Sequence, residues 1–249
     1  MTIGLDHIAI AVGDLGTARA AYETLLGRRA SVEDGRARFQ LSNMAFELVE
    51  AAGEERFSAI GLAVDDLDAA ARILARRGIT THEAAGGLVA DPDAAHGFAI
   101  ALRARRPAAA SAPTAEAGVV QALDHVVINT PNPDRAVGLY GARLGLDFRL
   151  DRSNPQWGSR LLFFRAGAAV IEVAARLDAA AGDGPDRLSG LAWRVAEPEA
   201  ARERLAGAGL DVSEVRAGRK PGTHVFTVRS GVPGAPSLML SADPALEEA

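Results

Sequence analysis

Two Leu-Asp-His segments lie 118 residues apart in this chain of 249 residues and end at His7 and His125. Each is followed by a glutamate within a short apolar segment, Glu47 in the first half and Glu172 in the second. Imidazole and carboxylate groups are suitable ligands for divalent Fe, Mn, Co, Ni or Zn. A carboxylate in apolar surroundings has a raised pKa and can serve as a general base. The residue types therefore indicate a metal centre or a metal-free acid–base pair.

The composition limits the kind of site that is compatible with the sequence. There is no cysteine, which excludes disulfides, thiolate-bound metals and a cysteine nucleophile. Any metal must be held by carboxylates and by members of a set of only five histidines. The net charge of −5 argues against nucleic-acid binding. Neither a membrane-spanning apolar run nor a signal-like N-terminus is present, so we expect a cytoplasmic protein without a membrane partner.

The elements that position these residues are repeated along the chain. With an offset of 118, the segment 5–10 matches 123–128, Tyr22 falls on Tyr140, and Gly27 falls on Gly145. A second match, with an offset of 131, relates 60–64 to 191–195. Internal repetition of this kind shows that the chain is built by duplication.

The repeated segments define four modules of the same pattern. Each begins with an apolar strand, predicted near 5–12, 57–64, 123–130 and 188–195. Each continues with an amphipathic helix, predicted near 15–26, 66–77, 134–144 and 197–207. Short strands separated by Gly, Asn and Asp turns follow. The sequence thus predicts an α+β fold of four βαβββ modules, which we number one to four.

An Ala/Pro-rich segment separates modules two and three. It lacks apolar periodicity, and its prolines disfavour a continuous helix. We interpret 106–120 as a linker, which predicts one domain over 1–105 and a second over 121–245.

This arrangement resembles the vicinal oxygen chelate superfamily, which includes glyoxalase I, methylmalonyl-CoA epimerase, extradiol dioxygenases and bleomycin-resistance proteins. The resemblance rests on both Leu-Asp-His segments, Tyr22 and Tyr140, and the apolar strands that carry Glu47 and Glu172. It implies two tandem glyoxalase-like half-open barrels. It also implies a divalent metal (Fe, Mn, Co, Ni or Zn) held by His7, Glu47, His125 and Glu172, which would act as a Lewis acid.

The ligand sets are incomplete relative to that family. Modules two and four have Ala59 and Gly190 where a histidine would stand, and no carboxylate at the last strand. Each domain therefore has two of the usual three or four ligands. A complete set would form only if module one paired with module three, which departs from the usual pairing of sequential elements.

Several residues of the second domain are candidates for substrate contact. Asn129 shares a strand face with His125, Phe163 and Trp157 are aromatic, and Arg194 could pair with an anion. His224 follows a basic segment and is a third acid–base candidate beside His125 and Glu172. Each also has a plain structural interpretation, as a core side chain, a partner of a nearby arginine or part of an exposed loop. We expect the chemistry in the second domain.

Three functions remain open from the sequence. The first is a metal-assisted isomerase, lyase or dioxygenase that acts on a small molecule, either anionic or aromatic. The second is a metal-free protein that binds or sequesters such a molecule, as in the resistance branch. The third is a metal-free enzyme in which His125, Glu172 and His224 transfer protons. A homodimer is compatible with each of these functions.

Overall fold

The computed structural model describes residues 3–53, 55–84, 86–105, 116–219 and 221–241. Most of the predicted linker, residues 106–115, lies outside the described residues, and the next strand begins at Val120. Among the residues described, no helix is long and apolar enough to cross a membrane.

Modules one and two have the predicted order of elements. Module one contains β1 Ile3–Val12, α1 Leu15–Leu26, β2 Ser31–Glu33, β3 Arg36–Gln40 and β4 Ala45–Glu50. Module two contains β5 Arg56–Val64, α2 Leu67–Arg76, β6 His82–Ala84, β7 Gly87–Ala90, a 3₁₀ turn at Pro92–Ala95, and β8 Ala99–Ala104.

Modules three and four repeat the pattern with two differences, a π-helical turn in module three and an additional short strand in module four. Module three contains β9 Val120–Asn129, α3 Pro133–Ala136, a π-helical turn at Val137–Arg143, β10 Asp147–Asn154, a 3₁₀ turn at Pro155–Trp157, β11 Ser159–Ala166 and β12 Ala169–Arg176. Module four contains β13 Arg187–Val195, α4 Pro198–Gly207, β14 Asp211–Val212, β15 Arg216–Ala217, β16 His224–Ser230 and β17 Ser237–Ser241.

The third helix departs from the α-helix predicted over 134–144. The amide of Leu144 donates to the carbonyl of Leu139, five residues earlier, at 2.8 Å. Gly138 and Gly141 lie within this helix, and glycine weakens the preference for regular α geometry. The wider turn is the result.

The helix starts follow local capping chemistry. The side chains of Asp14, Asp66 and Asn132 each accept a hydrogen bond from a backbone amide three residues later. These bonds satisfy amides that have no partner within the helix. Gly27 ends α1 in the left-handed conformation, at φ 67°, which favours glycine.

The strands form two open mixed sheets, which confirms the α+β class. The first sheet has the order β2-β3-β4-β1-β5-β8-β7-β6 and combines modules one and two. The second has the order β10-β11-β12-β9-β13-β17-β16-β14 and combines modules three and four, with β15 paired to β16. Within the described residues, no strand of module one pairs with a strand of module three in either sheet.

Backbone contacts divide the chain into two compact units whose limits differ from those of the sheets. The first compact unit comprises the described residues of Met1–Ala9, Phe57–Ala109 and His125–Ser189. Its aromatic contacts include Phe57 with Phe98 and Tyr140 with Phe164. The second comprises those of Ile10–Arg56, Ala110–Asp124 and Gly190–Ala249, where Trp193 packs edge-on against Phe46. Each compact unit has its own apolar core.

Phe164 and Phe148 lie on the same face of the second sheet but differ in burial. Phe164 is fully buried against Tyr140, whereas Phe148 stacks on it from the edge strand with 40% of its surface exposed. We expect Phe164→Ala to lower the free energy of unfolding by about 3–5 kcal/mol, since it leaves a cavity in the core. Phe148→Ala, the matched control, should cost under about 1 kcal/mol. Denaturant unfolding of both variants would measure the difference, and equal losses would contradict the deeper burial of Phe164.

Candidate functional site

The register of the second sheet places the candidate residues of module three on one face. In the parallel pairing of β12 with β9, Val170 lies opposite His125, Glu172 opposite Val127, and Ala174 opposite Asn129. Residues that pair across strands share a face, and successive residues alternate between faces. We call the face that carries His125 and Glu172 the open face, because its side chains are partly exposed.

The other face of the same strands is apolar and buried. It carries Val126 and Ile128 on β9, Ile171 and Val173 on β12, and Phe164 on β11. We call it the core face. The difference in burial between the two faces gives the strands their register, since a shift by one residue would expose the core side chains and bury His125 and Glu172.

His125 and Glu172 face each other across this open surface. Nε2 of His125 lies 3.8 Å from Oε2 of Glu172, and the side chains are 21% and 15% exposed. This separation is too long for a direct hydrogen bond, but it leaves room for a water molecule or a substrate atom to bridge the two groups. The pair is therefore accessible, partly desolvated and composed of two groups that can exchange a proton.

The equivalent histidine of module one has a different environment. His7 is buried, and its Nδ1–H donates to Oδ2 of Asp6 at 2.8 Å. The ring lies directly over Gly61 on β5, where a Cβ atom would stand 2.0 Å from Nδ1. Arg103 approaches the same Asp6 oxygen to 3.9 Å. The imidazole is thus held in one orientation by its neighbour in sequence and by a strand of module two.

Glu47, the equivalent of Glu172, is paired with two arginines. Arg38 lies opposite Glu47 in the β3–β4 register, and its Nη1 donates to Oε1. Nη1 of Arg36 lies 3.5 Å from Oε2, and the carboxylate is almost fully buried. Arginine pairing compensates the buried charge. The structure therefore matches the arginine-partner interpretation of Glu47 rather than that of a lone carboxylate in an apolar setting.

The candidate contact residues lie in several environments. Phe163 stands opposite Glu172 on the open face, and Asn129 ends β9 on the same face. Nε of Arg194 donates to Oδ1 of Asp124 at 2.8 Å, so its charge is already compensated. Trp157 lies in the 3₁₀ turn after β10, with 52% of its surface exposed.

Two other aromatic residues of the second half of the chain belong to the core. Trp193 is fully buried, and its Nε1–H donates to Oγ of Ser237 at 3.1 Å. Phe164 is buried on the core face. The aromatic candidates for substrate contact are therefore Phe163 on the open face and the exposed Trp157.

The remaining histidines lie outside the open face. His224 begins β16, pairs with Ala217, and is exposed, while its backbone N–H donates to Oγ of Ser241. His96 occupies a turn in the left-handed conformation, at φ 63°. Burial lowers the pKa of His96, and the nearby Arg135 and Arg143 contribute in the same direction.

Sequence reasoning missed the acidic partners that precede each histidine. Asp6 bonds His7, and Asp124 bonds Arg194. Both stand at the second position of the Leu-Asp-His repeat, so the repeat itself carried the signal. Arg38 had no comparable signal, because its partner is set by the β3–β4 register.

The donor sets do not fit a resident divalent metal. Catalytic zinc sites, for example, use three protein ligands and an open position. Within the described residues, no group of three or more His, Asp or Glu side chains comes together in a way that could hold a metal. Of the four ligands that the sequence predicts, His125 and Glu172 face each other on the open face.

Modules one and three each carry a histidine on the first strand and a glutamate on the last, within an α+β protein of tandem modules. Sequence models of the Glyoxalase/Bleomycin resistance protein/Dioxygenase superfamily match residues 4–93 and residues 124–227. The two matches together cover most of the chain, which belongs to this superfamily. No curated protein matches the sequence.

Solved structures with the same fold span nearly the whole chain at low identity. A halotolerant catechol dioxygenase is 15% identical, with a TM-score of 0.72 over 96% of this chain and 86% of its own. A Mn(II)-bound glyoxalase from Novosphingobium aromaticivorans is 18% identical, with a TM-score of 0.69 over 96% and 81%. A variant of 4-hydroxymandelate synthase from Streptomyces coelicolor is 12% identical, with a TM-score of 0.69 over 96% and 92%. At these identities the likeness shows the fold alone.

The contact between His7 and Gly61 predicts a specific coupling. We expect Gly61→Ala to lower the free energy of unfolding by about 1–3 kcal/mol, because the added methyl group overlaps the imidazole. In a His7→Ala background the same substitution should cost under about 1 kcal/mol, since the ring is absent. A double-mutant cycle by denaturant unfolding measures this coupling.

Gly138→Ala is the matched control for Gly61→Ala, because no atom lies within 4 Å of its added Cβ. It should leave stability unchanged or slightly higher. Additive costs for His7→Ala and Gly61→Ala would contradict the described position of the ring.

Proposed function

We propose that this protein is a small-molecule enzyme in which Glu172 and His125 transfer a substrate proton on the open face without a resident metal ion. The observation that carries the proposal is the facing pair, 3.8 Å apart, on a partly exposed surface. In this arrangement Glu172 would take a proton from the substrate, and His125 would stabilise the negative charge that results.

The surroundings of Glu172 support the role of general base. Phe163 stands beside it on β11 and Val127 on β9, so apolar side chains flank the carboxylate on both sides. The carboxylate would take a proton from a carbon next to a carbonyl group, which gives a carboxylic acid and an enolate. An N–H of His125 would donate to the enolate oxygen. Return of the proton to another position of the substrate completes an isomerisation.

The donor chemistry supports the metal-free form of this reaction. Two ligands are one fewer than a catalytic site of the superfamily type requires. In the first domain, Asp6 holds the histidine and Arg38 with Arg36 holds the glutamate. In that domain both candidate groups are held by charged neighbours, which supports placing the chemistry in the second domain. The metal-assisted alternative would need a further ligand from the substrate or from solvent.

A second candidate function is binding without turnover. It is favoured by Leu150 and Phe163, apolar side chains that remain partly exposed on the open face. In that case Glu172 and His125 would serve only as polar contacts. The Glu172→Gln and His125→Gln variants would then still bind the ligand.

Deuterium incorporation separates the two candidates. The protein would be treated with a chelator and incubated in D₂O with 2-oxo acids, 1,3-diketones and acyl thioesters, and exchange would be followed by proton NMR. We expect exchange into at least one class and a loss of about 100-fold or more in Glu172→Gln, because the base is removed. His125→Gln should lose less, since it stabilises charge but takes no proton.

Glu33→Gln, on an exposed edge strand, is the matched control and should retain wild-type exchange. Exchange that is equal in Glu172→Gln and wild type, or that appears only after a metal is added, would sink the proposal. Ligand binding that persists in Glu172→Gln, with no exchange by wild type, would favour the binding function instead.

A further inference from the structure

The outer strand of the second sheet extends the open face beyond Glu172. Phe148 on β10 lies opposite Phe164, but after an irregularity at Arg149 it is Leu150 that lies opposite Phe163. In a regular strand, residues 148 and 150 would share a face. The bulge therefore places Phe148 on the core face and Leu150 on the open face, in line with Phe163, Glu172 and Val127.

The next set of residues paired across the strands of the open face begins with a cation, Arg152 on β10. Arg152 lies opposite Leu161, which lies opposite Ala174, which in turn lies opposite Asn129. Arg152 is exposed, and no acidic side chain within the described residues forms an ion pair with it. Neighbouring arginines are committed, since Arg160 bonds Asp151 and Arg149 bonds Asp147. A cation left uncompensated beside apolar side chains is suited to an anionic ligand group.

The spacing of the sheet gives the size of a ligand that would reach from Arg152 to Glu172. Arg152 and Glu172 are two strands apart, at about 4.8 Å per strand, and two residues apart along the strand, which adds about 6.8 Å. Their Cα atoms are therefore about 12 Å apart. Both side chains extend from the same face. A single ring with a short alkyl chain spans such a gap.

Arg165 is less suited to the same role. It lies on the open face opposite Val170, but its Nε donates to the carbonyl of Gly167 at 3.1 Å. That bond holds part of the guanidinium at the β11–β12 turn, away from Phe163. Arg152 is therefore the better-placed anion contact for a ligand that lies over Phe163 and Leu150.

We propose that Arg152, Leu150 and Phe163 form a subsite for a small carboxylate with an aromatic or apolar body. The carboxylate pairs with the guanidinium of Arg152, and the body packs on Phe163 and Leu150. Only the further step, in which a carbon of that ligand lies at Glu172, rests on the proposed function. The binding subsite itself depends on the register of β10, β11 and β12.

A matched pair of probes tests the subsite. 3-Phenylpropanoate and 3-phenylpropan-1-ol share a ring and a chain length and differ in charge, and neither contains an acidic proton next to a ketone. Binding of each would be measured by NMR titration at low ionic strength. We expect Arg152→Gln to weaken binding of the carboxylate about 5- to 20-fold and to leave binding of the alcohol within about twofold. Phe163→Ala should weaken both.

Arg149→Gln is the control, because Arg149 is an exposed arginine of the same strand that is already paired with Asp147. It should leave both probes unchanged. Wild-type carboxylate binding in Arg152→Gln, an equal loss for both probes, or absence of carboxylate binding by wild type would overturn the subsite. Loss of deuterium exchange in Glu172→Gln with no effect of Arg152→Gln would overturn the subsite and leave the proposed function standing. Unchanged deuterium exchange in Glu172→Gln, together with the expected loss of carboxylate binding in Arg152→Gln, would overturn the proposed function and leave the subsite standing.

Discussion

The alternation of side chains along β9, β11 and β12 is the constraint on which the site depends. One set of positions carries Val126, Ile171 and Phe164 into the core, and this burial holds the register of the three strands. Because side chains alternate along a strand, the residues between these core positions necessarily lie on the other face. His125 and Glu172 face each other there because the core residues between them are packed on the opposite face. The apolar packing of the core face therefore fixes the positions of the two groups.

The two domains use equivalent positions for different purposes. In the first, Asp6 orients His7, Gly61 makes room for its ring, and Arg38 with Arg36 compensates Glu47. In the second, the histidine and glutamate face each other with a gap between them. Duplication followed by divergence explains both results, since one copy can take on a structural role while the other retains exposed acid–base groups.

The repeat made the four modules predictable from the sequence. Each module begins with an apolar strand, which carries Leu-Asp-His in modules one and three, and a helix follows. Alternation also placed Asn129 on the face of His125. The arginine partners of Glu47 were not predictable, because a sequence with many arginines does not reveal which of them lies opposite β4. The bulge at Arg149 was equally hidden, yet it decides that Leu150 and Arg152 join the open face.

The central claim is that the open face works with two protein donors and no resident metal. Elemental analysis of the protein, purified without added metal and then titrated with Mn²⁺, Fe²⁺, Co²⁺, Ni²⁺ and Zn²⁺ during thermal unfolding, tests it most directly. The account predicts substoichiometric metal and no rise in Tm, because two ligands do not bind the folded state tightly enough to stabilise it. One metal ion per chain, with a rise in Tm that Glu172→Gln abolishes, would contradict it.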